Sequence, residues 1–141
     1  MDRGSIWRVW LPLLAGLWIL GWIFQSGSGP HGPVRWIGFL LSLLGLAGLT
    51  VSRYTLGESF SITPKATALV TTGIYSRIRN PIYICAEVFL LGIVFMLRRP
   101  ELLIILLVLI PVQVWRAGQE AAVLEAKFGD AYREYRRRTW F

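Results

Sequence analysis

The residues whose types could do chemistry are concentrated in the segment "RNPIY", Arg79 to Tyr83, at the start of a long apolar run. Asparagine is a favoured N-cap and proline is well tolerated at the first helical position, so a helix is predicted to begin here. The start of a helix offers free backbone N–H groups and the positive end of the helix dipole. The segment therefore predicts a binding site for a carboxylate or a phosphate group.

Two acids could act together with this segment. Glu87 follows Tyr83 by four residues, which puts both side chains on one face of the predicted helix. An ionisable residue in a membrane segment is a candidate functional residue, and the alternative is that Glu87 only pairs with an arginine. Glu120 lies in a C-terminal helix, on the same face as Arg116. A separate apolar stripe of that helix consists of Ala117, Ala121, Leu124 and Phe128.

The composition that surrounds these residues is typical of an integral membrane protein. The chain of 141 residues is 55% hydrophobic, contains seven Trp and has a mean hydropathy of +0.54. Its four apolar runs, at residues 6–24, 34–51, 82–97 and 102–115, match or approach the length of about 20 residues that a spanning helix needs. We predict an all-α, polytopic membrane helical bundle of about four transmembrane segments, with a C-terminal helix in the cytoplasm.

The connections between the runs refine this prediction. The motif "RRPE" joins the last two runs in a tight helical hairpin, and Pro111 is expected to kink its second arm. The first run is interpreted as a membrane anchor rather than a cleaved signal peptide, because a second apolar run follows almost at once. The connector at residues 52–80 is longer than two helices need, so we expect it to be folded on the membrane surface and to be functional.

The charge distribution predicts the orientation and argues against a nucleic-acid partner. The net charge is +7, and with four crossings and a cytoplasmic N-terminus, twelve of the fifteen Lys and Arg residues fall on the cytoplasmic side. The basic tail "YREYRRRTWF" is interpreted as a helix end facing water or lipid head groups, with its aromatic residues at the interface. Cys85 is the only cysteine, which excludes an intrachain disulfide and a cysteine-based metal site.

Two spaced motifs resemble the integral membrane methyltransferases related to isoprenylcysteine carboxyl methyltransferase and the phospholipid N-methyltransferases. The family pattern "LGxxFS…P…LVTxGPYxxxRHPxYxG" corresponds here to "LGESFSITPKATALVTTGIYSRIRNPIYIC", which begins at Leu56. The pattern "RxxxEExxLxxxFGxxYxxYxxR" corresponds to "RAGQEAAVLEAKFGDAYREYRRR", which begins at Arg116. The two motifs occur in the family's order, and no metal site accompanies them.

The resemblance implies S-adenosylmethionine as the methyl donor, bound between the start of the third span and the C-terminal helix. It implies a single domain in which residues 1–51 form two N-terminal spans and residues 52–141 form the cofactor-binding core. Glu120 would bind a cofactor hydroxyl or amino group. The implied cofactor-binding residues are Gly73, Tyr75, Arg79, Asn80, Pro81, Tyr83, Arg116 and Glu120, and the catalytic candidates are Asn80, Tyr83 and Glu87.

The chain departs from the family pattern at four positions of these motifs. Asn80 stands where His is usual, Ile74 where Pro is usual, Cys85 where Gly is common, and Ala121 where a second acid is expected. Asparagine can donate and accept hydrogen bonds but cannot serve as a base near neutral pH.

The expected function is methyl transfer to a lipophilic acceptor, either an isoprenylcysteine-type carboxylate or a phospholipid amine, in the lipid bilayer. The active site and both termini are expected on the cytoplasmic side, and the oligomeric state stays open. One alternative is a nicotinamide-dependent membrane reductase of the sterol reductase type, which would need room for a larger cofactor. The other is a non-catalytic membrane scaffold with a degenerate site, an alternative suggested by Asn80 and Ala121.

Overall fold

The computed structural model describes residues 3–26, 32–57 and 69–141. The described residues form five α-helices: α1 (Arg3–Ser26), α2 (Pro33–Leu56), α3 (Pro81–Leu97), α4 (Leu103–Phe128) and α5 (Asp130–Arg138). Two short 3-10 helices, Gly73–Ser76 and Pro100–Leu102, precede α3 and α4. The prediction of an all-α bundle is therefore confirmed. Much of the expected surface fold of the connector falls on residues 58–68, which lie outside the described residues.

Three segments are long and apolar enough to cross a membrane: Val9–Ser26, Pro33–Leu56 and Pro100–Phe128. The fourth apolar helix, α3, is shorter at 17 residues. Helix α4 runs unbroken through Pro111 and has 26 residues, or about 39 Å at 1.5 Å per residue, so it is longer than a hydrocarbon core of about 30 Å. Its C-terminal part, which begins near Arg116, can therefore extend beyond the apolar layer.

Small residues bring α2 and α3 into close contact. A methyl group added at Gly38 would lie 2.6 Å from the carbonyl oxygen of Gly92, and one added at Gly45 would lie 2.5 Å from the Phe89 nitrogen. The buried Ser42 hydroxyl donates a 3.2 Å hydrogen bond to the carbonyl oxygen of Phe89. Such close backbone approach is typical of membrane helix pairs that associate through small residues. Helix α2 is the main packing partner of α3.

The short connection that was predicted between α3 and α4 is present, but these two helices make far fewer contacts with each other than α2 and α3 do. Arg98 ends α3 in the left-handed conformation, with φ of 54°, and Pro100 starts the 3-10 turn that leads into α4. The α3–α4 pair is therefore a hairpin by connectivity, whereas α2 and α3 form the tightly packed pair. Leu20, Leu46 and Met96 form a buried cluster that joins α1 to this pair.

Gly129 allows α5 to follow α4 almost directly. It adopts φ of +50°, a conformation that favours glycine, and its N–H donates a 2.9 Å hydrogen bond to the Glu125 carbonyl oxygen. The chain turns there, and α5 packs its buried Tyr132 inward. The turn at Gly129 thus directs Tyr132 toward the protein interior.

Candidate functional site

The segment that precedes α3 is held by hydrogen bonds from α5. It begins with Gly73, whose φ of +58° starts the 3-10 helix that carries the buried side chain of Tyr75. The Tyr135 hydroxyl donates a 2.7 Å hydrogen bond to the Tyr75 carbonyl oxygen. A side chain at Gly73 would also approach Thr55, at 3.1 Å from its Cγ2 atom. Gly73 and Tyr75 therefore fix the path of the chain into α3.

The last residues of the chain pair with the same segment. The N–H groups of Arg79 and Asn80 donate to the main-chain oxygen of Phe141, at 2.9 and 3.0 Å, and the Trp140 N–H donates to the Arg77 carbonyl oxygen at 3.0 Å. These bonds belong to a parallel bridge between Ile78 and Trp140. The start of α3 was predicted to bind an external anion through free N–H groups. Two N–H groups there instead donate to the protein's own backbone, because the C-terminal segment folds back onto them.

Asn80 occupies the N-cap position of α3, as predicted, but its side chain makes no capping hydrogen bond. Its φ and ψ of −122° and 58° differ from the extended conformation usual at this position. Its carbonyl oxygen accepts a 3.2 Å hydrogen bond from the Tyr83 N–H, and the residue contributes to the lining of a cavity. The prediction of a side-chain cap is therefore wrong, and the role of Asn80 has to be sought in that cavity.

The cavity, of about 360 Å³, opens between α4, α5 and the segment before α3. Its polar lining consists of Arg79, Asn80, Glu125, Tyr132 and Arg136. Its remaining wall consists of Ala117, Gly118, Ala121, Ala122 and Phe141. The volume falls in the range of about 300–1,000 Å³ that is typical of sites for small organic ligands. The two guanidinium groups and one carboxylate suit a ligand that carries both signs of charge.

A second polar contact lies next to this cavity, between α3 and α4. The Tyr83 hydroxyl donates a 2.7 Å hydrogen bond to Oε1 of Glu120, and Arg116, one turn earlier on α4, interacts with the same tyrosine. Asn80 links this contact to the cavity, because it lines the cavity and its carbonyl oxygen accepts from the Tyr83 N–H. The structure thus brings together three residues that the sequence assigned to one site from two separate motifs.

Glu87 lies further along α3, in a different environment. Both of its carboxylate oxygens are shielded from solvent, and neither accepts a hydrogen bond from a described residue. Gln113 on α4 interacts with this carboxylate electrostatically, but its amide is not in hydrogen-bonding geometry. Within the described ranges, Glu87 forms no ion pair with an arginine, which was the alternative to a functional role.

Not all of the predicted site residues line the cavity. Arg79 and Asn80 do, whereas Tyr83, Arg116 and Glu120 form the adjoining contact and Pro81 is fully buried at the start of α3. Six lining residues were not predicted from the sequence: Gly118, Ala122, Glu125, Tyr132, Arg136 and Phe141. The periodicity of α4 stops at Gly129, so the sequence gives no signal that residues on either side of this glycine share a site. Two residues of the predicted apolar stripe of α4, Ala117 and Ala121, line the cavity. The stripe therefore does not serve helix packing alone.

The tyrosines around the site are neutral hydrogen-bonding groups. Burial raises the pKa of Tyr135 to about 12, and burial also raises the pKa of Tyr75 and of Tyr132 above the ordinary value of a phenol. The positive charge of Arg79 opposes this rise at Tyr132 and at Tyr135. These hydroxyl groups therefore keep their protons at neutral pH and can donate hydrogen bonds, but they cannot serve as bases.

Comparison with known proteins identifies the family. A family model described as phospholipid methyltransferase matches residues 33–131, which is more than half of the chain. The chain belongs to the phospholipid methyltransferase family. The part matched by the phospholipid methyltransferase model runs from α2 into the first turn of α5 and includes both the cavity wall on α4 and the Tyr83–Glu120 contact. No curated protein and no solved structure matches the chain.

Proposed function

We propose that this protein is a membrane-embedded methyltransferase that uses S-adenosylmethionine and acts on a lipophilic acceptor. The observation that carries the proposal is the position of a charged cavity directly beside the Tyr83–Glu120 contact, at the end of an apolar bundle. A water-borne, charged cofactor and a membrane-dissolved acceptor can meet only at such a boundary. Membership of the phospholipid methyltransferase family supports the same reaction class.

The residues of the cavity fit this cofactor chemically. A methionine moiety has a carboxylate, which suits Arg79 and Arg136, and an ammonium group, which suits Glu125. The small side chains of α4 leave room for a flat ring system against the helix. Bound there, S-adenosylmethionine would supply an electrophilic methyl group, and the protein would contribute binding and orientation.

The contact between α3 and α4 would orient the reacting groups. Tyr83 is held by Glu120 at 2.7 Å, so its ring has a fixed position at the border between the cavity and the bundle. Glu120 has a second carboxylate oxygen that could accept from a cofactor hydroxyl or amino group. The apolar surroundings would exclude water, which otherwise competes as a nucleophile. The acceptor would be an isoprenylcysteine-type carboxylate or a phospholipid amine, reached from the cytoplasmic side of the membrane.

The experiment compares two neighbouring arginines of α5 by calorimetric titration of the purified protein with S-adenosylhomocysteine. Arg136 lines the cavity and Arg137 does not, although both side chains are exposed on the same short helix. We expect Arg136→Gln to weaken binding about ten-fold or more, because hydrogen bonds to charged groups contribute about 1.5–3 kcal/mol. Arg137→Gln should bind like the unmodified protein.

A radiolabelled methyl-transfer assay on membranes, with isoprenylcysteine and phospholipid acceptors, complements the titration. Binding of a nicotinamide dinucleotide in place of S-adenosylhomocysteine would favour the reductase alternative. If neither cofactor bound and no methyl group were transferred, the protein would be a scaffold and the proposal would fail.

A further inference from the structure

The carboxylate of Glu87 is the most unusual polar group in the described part of the bundle. Its two oxygens are shielded from solvent and accept no hydrogen bond, which is costly for a charged group and calls for an explanation. Glu87 lies in the second turn of α3, about 9 Å along the helix from Pro81 at 1.5 Å per residue. The helix has 17 residues and is therefore about 24 Å long, so Glu87 lies close to its middle.

The surroundings of Glu87 form a narrow polar seam between α3 and α4. One turn toward the cavity lies the Tyr83–Glu120 contact, and directly across from Glu87 lies Gln113. In the opposite direction the two helices carry the buried apolar residues Val94 and Leu106. The polar seam thus starts beside the cavity and ends at Glu87.

The seam is suited to entry from the bilayer because α3 and α4 are packed loosely. The tight partner of α3 is α2, and the small residues that permit this packing lie on the face of α3 opposite Glu87. The side of α4 that does not face the bundle exposes large apolar residues such as Leu107 and Val108. A lipid could therefore align its chains along α4 while its polar end enters the seam.

The charged residues along the seam determine which ligand charge is favoured there. Arg116 interacts with Tyr83 at the cavity end, whereas Glu87 forms no ion pair with any cation of the described residues. Resting on the proposed function, we propose that Glu87, assisted by Gln113, is the residue that recognises an ammonium group on the methyl acceptor. An acceptor carboxylate would be repelled at this position, so the seam favours an amine over an isoprenylcysteine-type carboxylate.

The same carboxylate can also prepare the amine for reaction. An ammonium nitrogen has no free electron pair, so it must lose one proton before it can attack a methyl donor. Transfer of that proton to Glu87 gives a neutral amine and a neutral carboxylic acid, so that neither remains charged in the apolar seam. Tyr83, Arg116 and Glu120 are the other titratable groups that line the seam, and Glu120 already accepts the Tyr83 hydroxyl.

The test measures lipid binding by the full chain in detergent micelles, separately from catalysis. The probes are fluorescent phosphatidylethanolamine and its N-acetylated form, which has the same phosphate and acyl chains but cannot carry an ammonium charge. We expect the unmodified protein to prefer the free amine about ten-fold, and Glu87→Gln to bind both lipids alike. Glu101→Gln is the matched control, because it removes the same charge from the exposed turn before α4 and should leave the preference unchanged.

A second variant distinguishes a loss of ammonium recognition from a folding defect. Glu87→Leu replaces a carboxylate whose oxygens are shielded from solvent by an apolar side chain of similar volume, a type of change that is often neutral or stabilising. It should abolish the preference as Glu87→Gln does, whereas Glu87→Asp should retain it in weaker form.

The ammonium site is overturned if Glu87→Gln or Glu87→Leu, with unchanged melting temperature and S-adenosylhomocysteine affinity, keeps the ten-fold preference for the free amine. Failure of the proposed function has a different signature. In that case the unmodified protein would bind no S-adenosylhomocysteine, while its lipid preference could still be measured.

Discussion

Asn80 shows how one residue can keep its predicted position and change its role. Its backbone starts α3 and binds Phe141 through the N–H group, the residue lines the cavity, and its side chain leaves the helix uncapped. The family pattern that this segment resembles has histidine at this position, and either side chain can exchange hydrogen bonds with a ligand. The position was predictable from "RNP", but the missing cap was not, because the backbone of Asn80 departs from the extended conformation usual at an N-cap.

This geometry separates the stability effect of Asn80→Ala from its effect on ligand binding. A lost N-cap would cost about 1 kcal/mol, whereas here we expect a loss of about 0.5 kcal/mol or less, because no capping bond is broken. S-adenosylhomocysteine affinity should fall several-fold, and Asn80→His should restore it. Thermal melting and calorimetric titration of the three proteins provide the measurement. A large drop in melting temperature with unchanged affinity would mean that the side chain is structural.

At the scale of the elements, the sequence predicted the helices better than their pairing. Apolar runs and the "RRPE" turn predicted α3 and α4 as a hairpin, and their connection has this form. The tighter pair, α2 with α3, has a signal in the small residues Gly38, Ser42 and Gly45, which recur every three to four positions along α2. Hydropathy does not register this signal, because it is averaged over a whole run and does not record the spacing of the small residues.

The α2–α3 contact predicts a strong effect from a small substitution. In Gly38→Ala the added methyl group would lie 2.6 Å from backbone atoms of Gly92 and Met96, which cannot move aside as a side-chain end can. We expect a loss of about 1–3 kcal/mol, measured as a lower melting temperature in detergent. Gly21→Ala is the control, because no atom outside its own helix lies within 4 Å of the added group and alanine favours a helix. Equal behaviour of the two variants would contradict the close packing.

At the scale of the whole molecule, the candidate site residues gather at one end of the bundle because three distant segments meet there. The segment before α3, the C-terminal half of α4 and the end of the chain converge around the cavity. The sequence could predict the first two from motifs that carry Arg79 and Glu120. It could not predict the contribution of Arg136 or Phe141, because neither the turn at Gly129 nor the bridge at Ile78 has a periodic signal.

The charges of the assembled molecule predict which side of the membrane this end faces. Arg77 and the basic residues of α5 lie at the cavity end, whereas Arg98 and Arg99 lie at the opposite end of α3. Under the positive-inside rule the cavity end is cytoplasmic, which is where a water-borne cofactor would be available.

In a Cys85→Ser background, a membrane-impermeant maleimide should label Glu101→Cys in intact cells, and it should label Ser76→Cys only after permeabilisation. Both positions are exposed and lie beyond opposite ends of α3, so the pair also tests whether this short helix crosses the membrane. Labelling of both positions from the same side would show that α3 does not cross, and a reversed pattern would place the cavity outside the cytoplasm.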